Sequence, residues 1–175
     1  MALRRFCCVA VLAGFVVSAS GSAGLAAKDS PLTTSGLPIP RYVSLKSDHV
    51  NVRAGPTKDN DVAWVYTRSG LPVEITAEFE NWRRVRDSEG AEGWVYHSLL
   101  SGRRTAVITM KNKDDLAPLY DRADESSSIA ARLQAGVVAQ VKKCGAGWCH
   151  VAGSGFDGWI EQQRLWGVYA DEKVE

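Results

Sequence analysis

The chain is poor in most of what marks an enzyme or a nucleic-acid binder. An excess of one charge is missing: 21 Lys+Arg stand against 20 Asp+Glu, and without Arg4 and Arg5 the counts are 19 and 20. No basic surplus is left to hold a phosphate backbone, so no nucleic-acid partner is expected. Histidine is scarce. His49, His97 and His150 lie far apart, with no nucleophile, base and orienting group at a spacing that would bring them together. No catalytic residue is assigned, no cofactor is implied, and the chain is read as a non-enzyme. Long apolar runs are missing too. Phe6 to Val17 is unbroken but has only 12 residues, against the roughly 20 that cross a bilayer as a helix.

That short run has company. Arg4 and Arg5 precede it, and the small, weakly polar stretch Ser18 to Ala27 follows. Charged, apolar and small-residue regions in that order are the layout of a secretory signal peptide over residues 1–27, with cleavage expected after Ala26 or Ala27. The alternative is an uncleaved anchor, which the length argues against. The expectation is export, to the periplasm, with no stable membrane span after leader removal. Cys7 and Cys8 leave with the leader, so Cys144 and Cys149 remain. An even count in an oxidising compartment reads first as a disulfide. Free thiols, a metal pair with His150 or a Cys/His nucleophile are the other readings. Zinc usually wants four convergent ligands and only three candidates lie here, so no metal site is assigned.

Residues 28–40 carry three prolines and a Ser/Thr/Gly cluster and read as an extended linker. From Arg41 onward the chain turns to short β-rich runs cut by Gly, Asn and Asp. In the first half these are Tyr42–Leu45, Val50–Arg53, Ala63–Tyr66, Leu71–Phe79, Trp82–Asp87 and Gly93–Tyr96, with one short turn at His97–Leu100. The second half repeats the first. At an offset of 66, Gly70 falls on Gly136, Trp82 on Trp148 and Val85 on Val151. At 65, Gly93-Trp94-Val95 falls on Gly158-Trp159-Ile160. A duplication of units of about 60 to 65 residues follows, with a boundary near Ser101 to Thr105. The reading is all-β: two tandem small β-barrels over 41–103 and 105–168, then a polar tail, 169–175.

The first unit resembles the bacterial SH3 domain in Val50-Asn51-Val52-Arg53-Ala54-Gly55-Pro56, in Gly70 before its strand, in Trp82-x-x-Val85 and in Gly93-Trp94-Val95. The second keeps Gly136, Trp148-x-x-Val151 and Gly158-Trp159-Ile160. It departs at the first motif, where Leu116-Ala117-Pro118-Leu119-Tyr120-Asp121 stands instead. The resemblance implies SH3-like barrels that act as adaptors and target a protein to the cell wall or to a partner. Peptidoglycan or an envelope protein is the partner class it implies.

Candidate ligand-binding residues are Arg53, Trp64, Tyr66, Trp82, Arg84 and Arg86. Along a strand alternate residues share a face, so Trp82, Arg84 and Arg86 point outward together if Val85 points inward. An exposed aromatic between guanidinium groups suits stacking on a sugar or peptide plane while a carboxylate is held. The other reading of Trp82 is that it caps the barrel end. Trp64 and Tyr66 lack aromatic counterparts in the second unit, which favours binding over architecture. Two functions follow: an envelope adaptor binding peptidoglycan or a wall-acting protein, or a structural protein whose barrels self-associate without a small ligand.

Overall fold

The computed structural model describes residues 34–112 and 114–175, so the leader expected over 1–27 lies outside the described residues. Module one contains β1 (Arg41–Leu45), β2 (Val50–Arg53), β3 (Val62–Tyr66), β4 (Pro72–Phe79), β5 (Trp82–Arg86), β6 (Glu92–Tyr96) and β7 (Leu100–Ser101). Module two contains β8 (Thr105–Ile108), β9 (Leu116–Tyr120), β10 (Ile129–Gln134), β11 (Val138–Gly145), β12 (Trp148–Gly153), β13 (Phe156–Glu161) and β14 (Leu165–Trp166). The strand orders are β3-β2-β6-β5-β4-β1-β7 and β10-β9-β13-β12-β11-β8-β14, one topology used twice. Every named pairing is antiparallel, and a single 3-10 turn precedes the last strand of each module.

Period-two patterning explains the strands. Val50 and Val52 are fully buried while the alternating Asn51 and Arg53 are half-exposed. Val73, Ile75, Val85 and Val95 join them in the first core, and Ala106, Leu119, Val141, Val151 and Ile160 stand in the second. A sheet closes around so thin a core only by bending. The register slips by one residue between Ile75 and Ala77, and again between Val141 and Lys143. These paired bulges turn β4 and β11 across the barrel at the same place in each module.

Tight turns hold the register. Phe79 pairs with Trp82 across Glu80-Asn81, and Gly145 pairs with Trp148 across Ala146-Gly147. Ala146 and Gly147 both have positive φ, the requirement of a two-residue hairpin turn. The loop between the cysteines is thus two residues, flanked by the paired Gly145 and Trp148. Cys144 and Cys149 sit opposite each other with Cα atoms 4.1 Å apart and are joined as a disulfide inside the second core.

The same inward positions in module one hold Glu78 and Arg83, which face each other in register and pair at 3.1 Å. Their side chains are 1% and 10% exposed. One module closes its barrel end with a buried ion pair and the other with a disulfide. Each barrel end is also covered by a segment that flanks the module in sequence. In module one, Ser35 donates to Glu78 from its backbone N–H and hydroxyl, and Arg41 reaches the same carboxylate. In module two, Val174 forms a bridge with Cys144 through both backbone hydrogen bonds. The described part of the proline-rich segment is therefore docked on the barrel, with Ile39 against the core, where an extended linker was expected.

The modules meet through aromatic rings and one buried carboxylate. Tyr42 packs edge-on to Trp166 and lies 4.6 Å from Tyr169. The Tyr169 hydroxyl donates to Glu74 at 2.9 Å, and Arg86 grips the other Glu74 oxygen through Nε and Nη2. Arg68 donates to the Gly136 carbonyl across the same junction. Burial and then the Glu74 charge push the Tyr42 phenol up to about 12. Burial and the hydrogen bond to Glu74 raise Tyr169 in the same direction.

Candidate functional site

Glycines at the inward positions of β6 and β13 set up the outer face of each sheet. A side chain on Gly93 would run into Val52 and meet the Trp64 ring at 3.0 Å. One on Gly158 would stand 2.7 Å from the Tyr120 carbonyl. With the inner side filled, alternation sends Trp94 and Tyr96 outward, and register places them against the residues of β5 and β2. Arg84 lies opposite Trp94, and Trp94 lies opposite Arg53. Across three strands this makes a row, Arg84–Trp94–Arg53, with side chains about 4.5–5.5 Å apart at Cβ. Trp82 lies opposite Tyr96 and packs edge-on to it at 5.4 Å.

Beside that row, Asn51, Arg53, Lys58, Trp82, Tyr96 and Leu99 line a groove of about 180 Å³. The groove is smaller than the roughly 300 Å³ at which small-molecule pockets begin. It has room for one side chain or part of a sugar ring, as expected where an extended ligand is read along a surface. Arg53 donates from Nη1 to the Asn60 carbonyl, which ties the β2–β3 loop down and places Lys58 on the rim. A side chain on Gly55 would meet the Asn60 amide at 2.5 Å, so Asn60, which donates to Thr57, would have to move.

The expected outward trio does not hold together. Trp82 is on the predicted face but only 8% exposed, because Tyr96 covers it. It is the floor of the groove rather than an exposed stacking surface, close to the barrel-capping reading. Arg84 remains outward, half-exposed and 2.6 Å from Glu92. Arg86 leaves the row altogether, drawn sideways to Glu74 at the module junction, and that partner raises its pKa.

Trp64 and Tyr66 also stand apart from the row, at the edge of the core. The Tyr66 hydroxyl donates to Asp87 at 2.9 Å, and burial followed by that bond raises its pKa. Their positions are taken in module two by Ala131 and Leu133, which also pack on the core. The exchange is one of volume: Val52 faces Trp64 where Leu119 faces Ala131. Absence from the duplicate therefore has an architectural explanation, and by itself it does not mark these two residues as ligand-binding.

Residues that the sequence reading passed over are Trp94, Tyr96 and Lys58. The alternation of Gly93 and Val95 with Trp94 and Tyr96 was the available signal. Module two repeats the platform with different polar groups. His150 lies opposite Trp159, stacked at 5.1 Å, and Trp159 lies opposite Tyr120, which packs edge-on to Trp148. His150 and Asp157 meet at 2.7 Å where module one has Arg84 and Glu92. The hollow beside Trp148 carries Glu125, Glu161 and Asp171. One platform is rimmed by cations and the other by carboxylates. Among the described residues, no group of three or more His, Cys, Asp and Glu side chains is placed to hold a metal ion.

Comparison with known proteins bears on this arrangement. No curated protein matches the chain significantly. Among solved structures, the chain is similar to NlpC2 from Trichomonas vaginalis, at 15% identity and TM-score 0.32, covering 73% of this chain and 48% of that one. It is likewise similar to NlpC1 from Trichomonas vaginalis, at 15% identity and TM-score 0.32, covering 81% and 50%. The chain thus spans about half the length of these two proteins. The family model for the bacterial SH3 domain matches twice, over residues 46–102 and 113–167. These two stretches are the two barrels, and the chain belongs to the bacterial SH3 domain family.

Proposed function

We propose that this chain is an exported, non-catalytic binding protein of the cell envelope, and that module one holds peptidoglycan or a wall-associated protein on its outer sheet face. One observation carries the reading. Both barrels carry an aromatic outer face, and in module one Trp94 of β6 stands between Arg84 of β5 and Arg53 of β2, beside Trp82 and Tyr96, with Lys58 on the groove rim. Trp94 supplies a flat surface for a sugar or peptide plane. The cations supply charge-assisted donors to carboxylates, such as those of an anionic wall peptide. Family membership supports a binding module, and the signal-like leader supports delivery to the periplasm.

Sedimentation with purified, insoluble wall sacculi tests the proposal. Lys58→Glu with Arg84→Glu should lower the bound fraction at low salt at least tenfold, since charge-assisted bonds contribute ~1.5–3 kcal/mol each where desolvated and less at exposed sites. Trp94→Ala should do the same at any salt. Arg122→Glu with Arg132→Glu, in module two, makes the same charge change and should bind as wild type. Equal loss in both charge variants, with unchanged melting, would mean general electrostatic adhesion. No binding by wild type would favour a self-associating protein instead.

A further inference from the structure

Between the modules lies a second cleft, of about 470 Å³, unrelated to the aromatic row. Lys46 and Arg68 enter it from module one, Arg103 from the connector, and Thr105, Gln140 and Ser154 from module two. Among the described residues, no carboxylate lines it. Elsewhere Arg41, Arg83, Arg84, Arg86, Arg104 and Arg164 each reach a carboxylate. Among the described residues Lys46, Arg68 and Arg103 form no such pair, although acids slightly outnumber bases once the leader is excluded.

The neutral groups of the cleft match the cations. Thr105 is 2% exposed, and its Oγ1 has no hydrogen-bond partner among the described residues. The Gln140 Oε1 accepts from Lys142, which leaves the amide NH2 as the donor end of that side chain. Arg68 bridges to the Gly136 carbonyl, so the cleft is fastened across the junction at that point. Donors from both modules therefore line one cleft in which, among the described residues, no acid competes.

We infer that this inter-module cleft binds a phosphate group. A phosphate monoester carries close to two negative charges and three acceptor oxygens. That demand is met by two guanidinium groups and an ammonium, whereas a carboxylate, with one charge, would leave the cations under-compensated. A group held there touches both modules, so its binding stiffens the junction. This goes beyond the proposed wall-binding face, and its residues are not shared with that face.

The test uses the full mature chain at constant ionic strength, with chloride exchanged for the probe. Titration of inorganic phosphate, glycerol 3-phosphate and phosphatidic acid vesicles, all bearing a phosphate monoester or free phosphate, is followed by nuclear magnetic resonance shifts of backbone amides. Saturable shifts are expected at Gly70 and Ser154, on opposite walls, with affinity lowered at least tenfold in Lys46→Glu with Arg103→Glu. That pair leaves the Arg68–Gly136 bridge intact. Response to glycerol 3-phosphate alone upholds the site for soluble esters; vesicle binding lost in the variant upholds it for a lipid headgroup. Shifts spread evenly over basic surfaces, shifts no larger than with chloride, or an unchanged affinity in the variant would overturn it. Sacculus binding by the same variant should stay at wild-type level, which keeps the two sites separable.

Discussion

Reducing the Cys144–Cys149 disulfide should destabilise module two selectively, by an amount the loop length sets. The cysteines are five positions apart, and closing so short a loop contributes about 2 kcal/mol in the chain-entropy model. Both sulfurs lie in the core, so reduction alone leaves them packed. Cys144→Ala with Cys149→Ala also removes their buried volume, at about 1 kcal/mol each by analogy with a buried methylene. The expected order is oxidised wild type, then reduced wild type about 2 kcal/mol lower, then the double alanine variant about 4 kcal/mol lower. For a module of this size 2 kcal/mol corresponds to about 8–16 °C in melting temperature. Calorimetry with and without reductant measures the shift, and hydrogen exchange with mass spectrometry locates it. Loss of protection should begin in β11 and β12. A reduced protein that melts within 2 °C of the oxidised one, or that loosens first in module one, would refute the reasoning.

Other consequences follow from the same comparisons. Because Glu78 and Arg83 occupy the register positions of Cys144 and Cys149, Glu78→Cys with Arg83→Cys should form a second disulfide on oxidation; two free thiols by alkylation would contradict that equivalence. Gly158→Ala drives a methyl onto the Tyr120 carbonyl and should cost about 1–3 kcal/mol in denaturant unfolding. Tyr42, Tyr66 and Tyr169 have raised phenol pKa values, about 12 for Tyr42. Their contribution is complete below the ordinary value near 10 and is lost as pH rises through the folded values. At the other extreme, burial pushes Glu172 up, but Arg104 and the Tyr169 amide hold its carboxyl below the ordinary value. Its contribution is present above the usual carboxylate range and lost as pH falls through the lowered value, which Glu172→Gln should abolish in acid unfolding.

The strands were legible because each core is one residue deep, and alternation in runs such as Val50–Arg53 leaves little choice of face. The duplication was legible because Gly93 and Gly158 admit no side chain and so fix Gly-Trp in both copies. The site was less legible. Alternation gave the face of Trp82 but not its cover, since Tyr96 reaches it only through the pairing of β5 with β6. Arg86 shares the parity of Arg84, yet a buried carboxylate on the neighbouring strand captures it. Trp64 read as a binding residue because the second unit has no aromatic counterpart, but that counterpart is Ala131 and the volume has moved to Leu119. Cross-strand partners and volume exchange are properties of pairs, and a single strand read alone does not display them.

The most direct measurement is a titration of the isotope-labelled mature protein with soluble, peptide-bearing fragments of peptidoglycan, followed by nuclear magnetic resonance of the Trp indole and Arg side-chain signals. Trp94, Arg84 and the Lys58 amide should respond together and saturate at one affinity, while Trp64 and Trp166 stay still. Shifts that centre on Trp148 and Trp159 in module two, or a response at Trp64 and Tyr66 with Trp94 unmoved, would contradict it.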